Sequence, residues 1–467
     1  MEVRLKFLGG AKSVTGSKYL LEIDHRKILF DCGLFQGLKA LRLRNWDSLP
    51  IQPKAIDAVV LTHAHIDHSG YLPRLVKDGF GGKVYCTHAT NDLMQIMLTD
   101  AGRLQEEEAA FAFRHGYSKH SKPEPLFTEE DARKVLDMTV PCPFHKKTTL
   151  FENVDITFHI AGHILGAAQI EVNIKGTSQE KKIIFSGDLG RTNDPLMFPP
   201  DLMEETDILL VEATYGNRIN SDSNVEGNLA DIVNSTVANQ GCLIVPAFAV
   251  GRTQNLLYYL DKLIREKRIP VLPVYIDSPM AINATGLYEK NNTVHKLKVS
   301  KQGNELISFF DSPYLHFCNT PDSSKALNDL QNPSIIISAS GMCTGGRILH
   351  HLYHRLSNPK DTLLFVGYQA EGTRGRDLME GKSAIRIFGK DIEVKCRVMG
   401  LHGLSAHADQ TELMDWLGHF KNAPKMSFIV HSEEEAAIAL SAKIQSTLGW
   451  NYFIPEYLES FELFNGI

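Results

Sequence analysis

Apolar residues in the first half of the chain gather in short runs: Tyr19–Ile23, Lys27–Phe30, Ala58–Leu61, Val84–Cys86, Ile156–Ile160, Gln169–Ile174, Ile183–Phe185 and Ile208–Val211. The opening MEVRLKFL alternates apolar and charged residues, the period of a half-buried strand. Several runs lie close enough in sequence to form β-hairpins, and helical segments at Met94–Phe113 and Thr128–Leu136 fall between them. Strands, then helix, then strands again predict a sandwich rather than strict alternation.

The rhythm changes after about Tyr215. Leu243–Val245 precedes a helix near Thr253, and Val271–Ile276 precedes one near Ala281. Ile335–Ala339 and Leu363–Gly367 likewise lead to helices near Gly346 and Thr373. This alternation is the pattern of a parallel α/β domain. From about Glu393 the first style returns, with strands at Glu393–Val398 and Phe428–Val430. The chain therefore reads as an α/β domain inserted into another: residues 1–213, an insert at 214–378, and a completion at 379–467.

Composition sharpens this only a little. The chain has 467 residues, 43% hydrophobic and 22% charged, enough for two or three domains with substantial cores. It holds no apolar run of the roughly 18 residues that a membrane helix needs. The start lacks the apolar core and cleavage site of a signal peptide. Seven scattered cysteines without a C-x-x-C pair suit a reducing cytoplasm better than a disulfide framework. A net charge of −6 does not advertise nucleic-acid binding, but binding needs only a local basic surface. Oligomeric state stays open, a homo-oligomer included.

Chemistry concentrates where apolar runs end. The string HAHIDH, His63 to His68, follows Ala58–Leu61. Alternate residues beyond a strand point the same way, so His63 and His65 can share one metal while Asp67 and His68 reach a second. Imidazole and carboxylate suit zinc, or manganese or iron. Asp31 ends ILFD, His163 follows IAG, Asp188 follows IIFSG and His431 ends FIVH, so each caps a strand. One carboxylate offers two oxygens, which lets Asp188 bridge two metals. Glu212 and His407 read as a second layer, a carboxylate orienting an imidazole as general acid.

Two glycine-rich loops can hold phosphate. SASGMCTGGR, Ser338 to Arg347, lies between a strand and a helix but lacks P-loop spacing. GRT, Gly251 to Thr253, places Arg252 at a helix start. Each is equally readable as a tight turn or a surface arginine. His350, His351 and His354 in HHLYH, and the acidic Glu106 to Glu108, read as polar helix faces.

HAHIDH with Asp31, His163 and Asp188 around it resembles the metallo-β-lactamase fold. VEATYG (Val211 to Gly216), PAFAVGRT (Pro246 to Thr253), SGM (Ser340 to Met342), SAH (Ser405 to His407) and VH (Val430, His431) resemble its β-CASP branch of nucleases. Within that branch the chain is similar to RNase J-type enzymes and to the endonuclease of pre-mRNA cleavage and polyadenylation. The resemblance implies an αββα sandwich with an inserted α/β cap and single-stranded RNA in the cleft between them. It implies two zincs per chain: His63, His65 and His163 on one, Asp67, His68 and His431 on the other, Asp188 bridging. Asp31, Asp67, Glu212 and His407 match the catalytic motifs, and Arg252, Ser340, Gly341, Met342 and Ser405 fall in the substrate-binding ones. Ser432 stands where the family has glycine. The expected reaction is RNA hydrolysis by in-line hydroxide attack on phosphorus, with His407 protonating the departing 3′-oxygen. The rivals are a small-ester or thioester hydrolase and an RNA-processing subunit without catalysis.

Overall fold

Val3, Leu5 and Phe7 alternate with more exposed neighbours along strand Glu2–Gly9, so one face of that strand must be covered. The computed structural model describes residues 1–115, 122–177, 179–219, 224–297, 300–302, 305–307, 310, 312–367, 369–401 and 403–466. It separates into two units, Met1–Ile219 with His407–Ile467, and Asn220–Ala406.

Among the described residues, the first unit holds two seven-stranded sheets. One runs Ser460–Asn465, Glu2–Gly9, Lys18–Ile23, Arg26–Phe30, Ala58–Val60, Lys83–Thr87, Thr139–Cys142. The other runs Tyr452–Phe453, Met426–Val430, Ile208–Glu212, Glu180–Phe185, Ala168–Lys175, Val154–Ile160, Thr148–Phe151. Their facing sides share one core, in which Val3, Leu5, Phe7, Ile28 and Phe30 meet Ile156, Ile170, Val172, Phe185, Leu210 and Phe428. Phe30 and Phe185 stack across it with ring centroids 3.9 Å apart. Phe185→Ala would leave a void there, at a cost of about 3–5 kcal/mol.

The opposite side of the second sheet exposes Ile184, Leu209, Val211 and Ile429 to helices Gln410–Leu417 and Glu434–Leu448, through Leu413, Trp416, Leu440 and Ile444. Helix His88–His115 packs on strands Lys83–Thr87 and Thr139–Cys142 of the first sheet. Helix Glu129–Leu136 packs on it in turn, started by a Thr128–Asp131 capping box. The expected αββα sandwich is the observed one.

Parallel pairing decides where chemistry collects. Arg26–Phe30, Ala58–Val60 and Lys83–Thr87 run parallel, as do Glu180–Phe185, Ile208–Glu212 and Met426–Val430. Their carboxyl ends therefore lie along common edges.

The second unit is a parallel sheet ordered Leu315–Phe317, Val274–Ile276, Ile335–Ser338, Leu243–Pro246, Thr362–Phe365, Arg397–Gly400. Ile335–Ser338, Leu243–Pro246 and Thr362–Phe365 are buried throughout, as strands covered on both faces must be. Helices Arg252–Arg265, Pro279–Lys290, Ile348–Arg355 and Arg374–Met379 follow strands near the expected positions.

The compact units divide at Ile219/Asn220 and Ala406/His407, against expected divisions at 213/214 and 378/379. Residues 393–398 do not form one strand of the first unit. Lys390–Glu393 pairs with Ala384–Ile387, and Arg397–Gly400 extends the second unit's sheet beside Thr362–Phe365. Arg397 explains the attachment: its guanidinium donates to Ser235, Thr236 and Thr362 hydroxyls at 2.7, 3.3 and 3.1 Å. The first unit resumes at His407.

Candidate metal centre

Asp188 stands beyond strand Glu180–Phe185, where Gly187 takes a left-handed φ of 55° and turns the chain. The buried carboxylate faces two groups of donors. Its Oδ2 lies 3.5 Å from His63 Nε2 and 3.6 Å from His163 Nε2. His65 Nδ1 closes this first group at 3.1 Å from His63 Nε2 and 3.2 Å from His163 Nε2. Asp188 Oδ1 lies 3.3 Å from His68 Nε2 and makes no hydrogen bond among the described residues. His431 Nε2 completes the second group, 3.1 Å from His68 Nε2 and 3.4 Å from Asp67 Oδ2.

Four ligands about 2.05 Å from a tetrahedral zinc are separated by roughly 3.3 Å. The spacings in both groups cluster around that value. Imidazole nitrogens this close, beside a buried carboxylate oxygen with no hydrogen bond, suit a cation between them. Each group can hold one metal ion.

The ring orientations agree. His68 Nδ1–H donates to Asp31 Oδ2 at 2.8 Å. His63 Nδ1–H donates to the Thr62 hydroxyl at 3.1 Å, and His431 Nδ1–H to the Thr214 hydroxyl at 3.0 Å. These partners fix the tautomers that leave the three Nε2 lone pairs directed into the centre. The Thr62 hydroxyl and N–H in turn donate to Asp31. Asp31 thus stands behind His68 rather than among the inward-facing atoms. Sequence reasoning missed Thr62 and Thr214; their only signal was adjacency to LTHAH and VEATYG.

Charge is balanced closely. Burial and the neighbouring imidazoles hold His63 well below the usual histidine range. Burial brings His65 down to about 4, leaving it neutral and able to coordinate. Burial alone would lower His68 too, but Asp188 and Asp31 raise it to about 10, so a metal would have to displace the Nε2 proton to bind there. Burial raises Asp188 against the pull of His431 and His68.

The expected Glu212–His407 pair is formed. Glu212, buried at the end of its strand, accepts from His407 Nδ1–H at 3.0 Å and from the Leu189 and Thr214 N–H groups. His407 Nε2 points toward Asp188 Oδ2, 4.0 Å away. Burial opposes charge on His407, yet the Glu212 carboxylate and hydrogen bond raise its pKa overall. His431 keeps its place before Ser432 at a left-handed φ of 49°, and the buried Ser432 hydroxyl makes no hydrogen bond among the described residues.

In the second unit, Arg252 opens the helix that follows Leu243–Pro246, and Ser340, Gly341 and Met342 lie on the loop beyond Ile335–Ser338. Arg252 is largely buried beside Gly367, where an added Cβ would sit 3.6 Å from its Nε. The Ser340 hydroxyl accepts from Thr344 N–H, and the Gly341 and Met342 carbonyls accept from Gln369 and Gly375. Ser405 lies two residues before His407. In HHLYH, His351 is buried and its ring bonds Asp277 at 2.7 Å, a structural contact.

Comparison with known proteins matches three stretches of the chain, the last of which crosses the Ala406/His407 division. Residues 14–141 match the metallo-beta-lactamase superfamily, 253–378 the Beta-Casp domain, and 391–455 the Zn-dependent metallo-hydrolase RNA specificity domain. The chain is 36% identical to Ribonuclease TTHA0252 of Thermus thermophilus, covering 94% of this chain and 95% of that one. It is 32% identical to the transcription termination factor FttA of Methanosarcina mazei (96% and 69% covered). An RNase J-like protein of Methanocaldococcus jannaschii is 30% identical (97% and 98% covered). A crystal structure of a protein of unknown function from Enterococcus faecalis shares the fold at TM-score 0.54 and 14% identity, over 99% of this chain and all of that one. The chain belongs to the β-CASP ribonuclease family of the metallo-β-lactamase fold.

Proposed function

We propose that this chain hydrolyses phosphodiester bonds of single-stranded RNA at a two-zinc centre. The observation that carries the reading is Asp188, one oxygen toward each donor group, with His407 beside it. His63, His65 and His163 would hold one zinc, Asp67, His68 and His431 the other, and Asp188 would bridge. Such a pair, when bound, lowers the pKa of water and neutralises phosphate charge. The protein's own contribution is orientation and proton supply. Asp31, Thr62 and Thr214 hold the imidazoles in the coordinating tautomer. Glu212 holds His407 Nδ1–H, so Nε2 can carry a proton toward the departing 3′-oxygen, leaving a 3′-hydroxyl and a 5′-phosphate. Nothing in this arrangement uses the ribose 2′-hydroxyl, so preference for RNA must come from binding.

Phosphate binding is assigned to Arg252, the Ser340–Met342 loop and Ser405. The first two stand beyond the carboxyl ends of a parallel sheet, where such sheets bind ligands. The ribonuclease named among the relatives supports RNA as substrate. A cytoplasmic setting is supported by seven cysteines that are all free and buried. Among the described residues, no helix is long and apolar enough to cross a membrane.

The test is incubation of zinc-loaded protein with 5′-labelled and internally labelled RNA, mapping the products. Cleavage leaving 5′-phosphates is expected. Hydrolysis of a generic ester or thioester with intact RNA would overturn the reading in favour of a small-molecule hydrolase.

A further inference from the structure

We propose that His145, His159 and Asp201 form a third metal site, for zinc or a similar transition-metal ion, separate from the residues assigned to RNA cleavage. One donor atom from each of the three lies within 4.8 Å of the others. His145 Nε2 is 2.6 Å from Asp201 Oδ2, and the two imidazole centroids are 5.8 Å apart. Two imidazoles and a carboxylate form a donor set that zinc, nickel and copper accept.

Two observations distinguish this cluster from an ordinary surface ion pair. His159 Nε2 is buried and, among the described residues, has no hydrogen-bond partner. Its nearest carboxylate on the neighbouring strand, Glu171 Oε2, stands off at 3.7 Å, within reach as a further donor. A nitrogen withdrawn from water without a partner is costly, and a metal would satisfy it.

The second observation is that all three residues are registered on one strand, Val154–Ile160, by main-chain bonds. His145 N–H donates to the Phe158 carbonyl at 2.8 Å, with His145 at a left-handed φ of 60°. Asp201 N–H donates to the Ile160 carbonyl at 2.8 Å, and Asp201 Oδ2 accepts from Ile160 N–H at 2.7 Å. The Asp201 carbonyl is pinned as well, by Gln169 at 2.8 Å and the Trp416 indole at 2.9 Å. The donors are thus held by the backbone before any ion arrives, which reduces the ordering cost of binding. Only the His145 side chain, 53% exposed, must turn to close the set, and it leaves the entry path open.

The same strand leads in three residues from Ile160 to His163. Metal at this position would cross-link the segments that flank that ligand.

The test uses the full chain, dialysed in metal-free buffer so that only tightly held metal stays, and titrated with Zn²⁺ by calorimetry. One further zinc per chain is expected, together with a rise in thermal midpoint through mass action. His145→Asn suits the left-handed backbone and removes one donor, and His159→Gln removes another. Each should weaken this added binding at least tenfold while the tightly held metal and RNA cleavage stay unchanged, which also reports correct folding. No added binding to the wild type, or equally tight binding by both variants, would overturn the proposal.

Discussion

Both units place their notable residues beyond the carboxyl ends of parallel strands, yet the residue types differ. In the first unit these positions carry Asp31, Asp188, Glu212 and His431, all buried. In the second, Gly251, Arg252, Ser340 and Gly341 follow two of the strands, while the buried Asp277 that follows a third is already paired with Arg347 and His351. The same architectural position thus serves two physical ends. Buried titratable side chains, each held by a second partner, can fix cations and move protons. Glycine-rich backbone beside an arginine suits phosphate binding rather than cleavage, which is the role we propose for the second unit. The fold supplies the location, and side-chain chemistry supplies the role.

The sharpest way to break that division is Asp188→Ala, which removes the carboxylate facing both donor groups. Elemental analysis should find nearly two zincs in the wild type and clearly fewer in the variant, with RNA cleavage abolished. Full metal occupancy in the variant would refute the bridging role.

His407→Ala should keep both metals and lower the rate by about 10²–10⁴, the range for a general acid. The effect should shrink for a p-nitrophenolate leaving group, which departs without a proton. If good and poor leaving groups slow equally, His407 is not the acid.

Thr214→Val removes the acceptor for His431 Nδ1–H while keeping the side chain's shape. Zinc affinity of one site should fall by about 10–100-fold, as for other partners of metal-bound histidines. Competition with a chelator reads this directly, and an unchanged affinity would make Thr214 a bystander.

The smallest effect belongs to the second unit. Arg252→Ala should weaken RNA binding and flatten its salt dependence, by about 0.7 in log–log slope for each phosphate that is no longer neutralised. Hydrolysis of bis-p-nitrophenyl phosphate should stay intact. Equal damage to both substrates would erase the contrast between the two units and make Arg252, already largely buried, a structural residue.

The legible parts of the molecule were local. HAHIDH announces itself because ligands two residues apart beyond a strand share a side. The long helix was visible between Met94 and Phe113, and it extends to His88–His115. Strand partners were not visible: nothing in an apolar run says which neighbour it will pair with. For that reason the segment near 393–398 read as part of the first unit, whereas Arg397–Gly400 joins the second. Thr62 and Thr214 escaped notice because a threonine beside a motif looks like any other until its hydroxyl meets a ring nitrogen.

By itself the sequence determined the kinds of element, their order and the stock of donors, since periodicity and residue chemistry are properties of neighbours along the chain. Only the tertiary structure decided which donors meet. His431 reaches His68 across 363 positions because Met426–Val430 pairs with Ile208–Glu212. Asp31 becomes the partner of His68 because the strand leading to it runs parallel to Ala58–Val60. Long-range pairing follows from burying both sheets' apolar faces together, a cooperative demand that no short stretch of residues records.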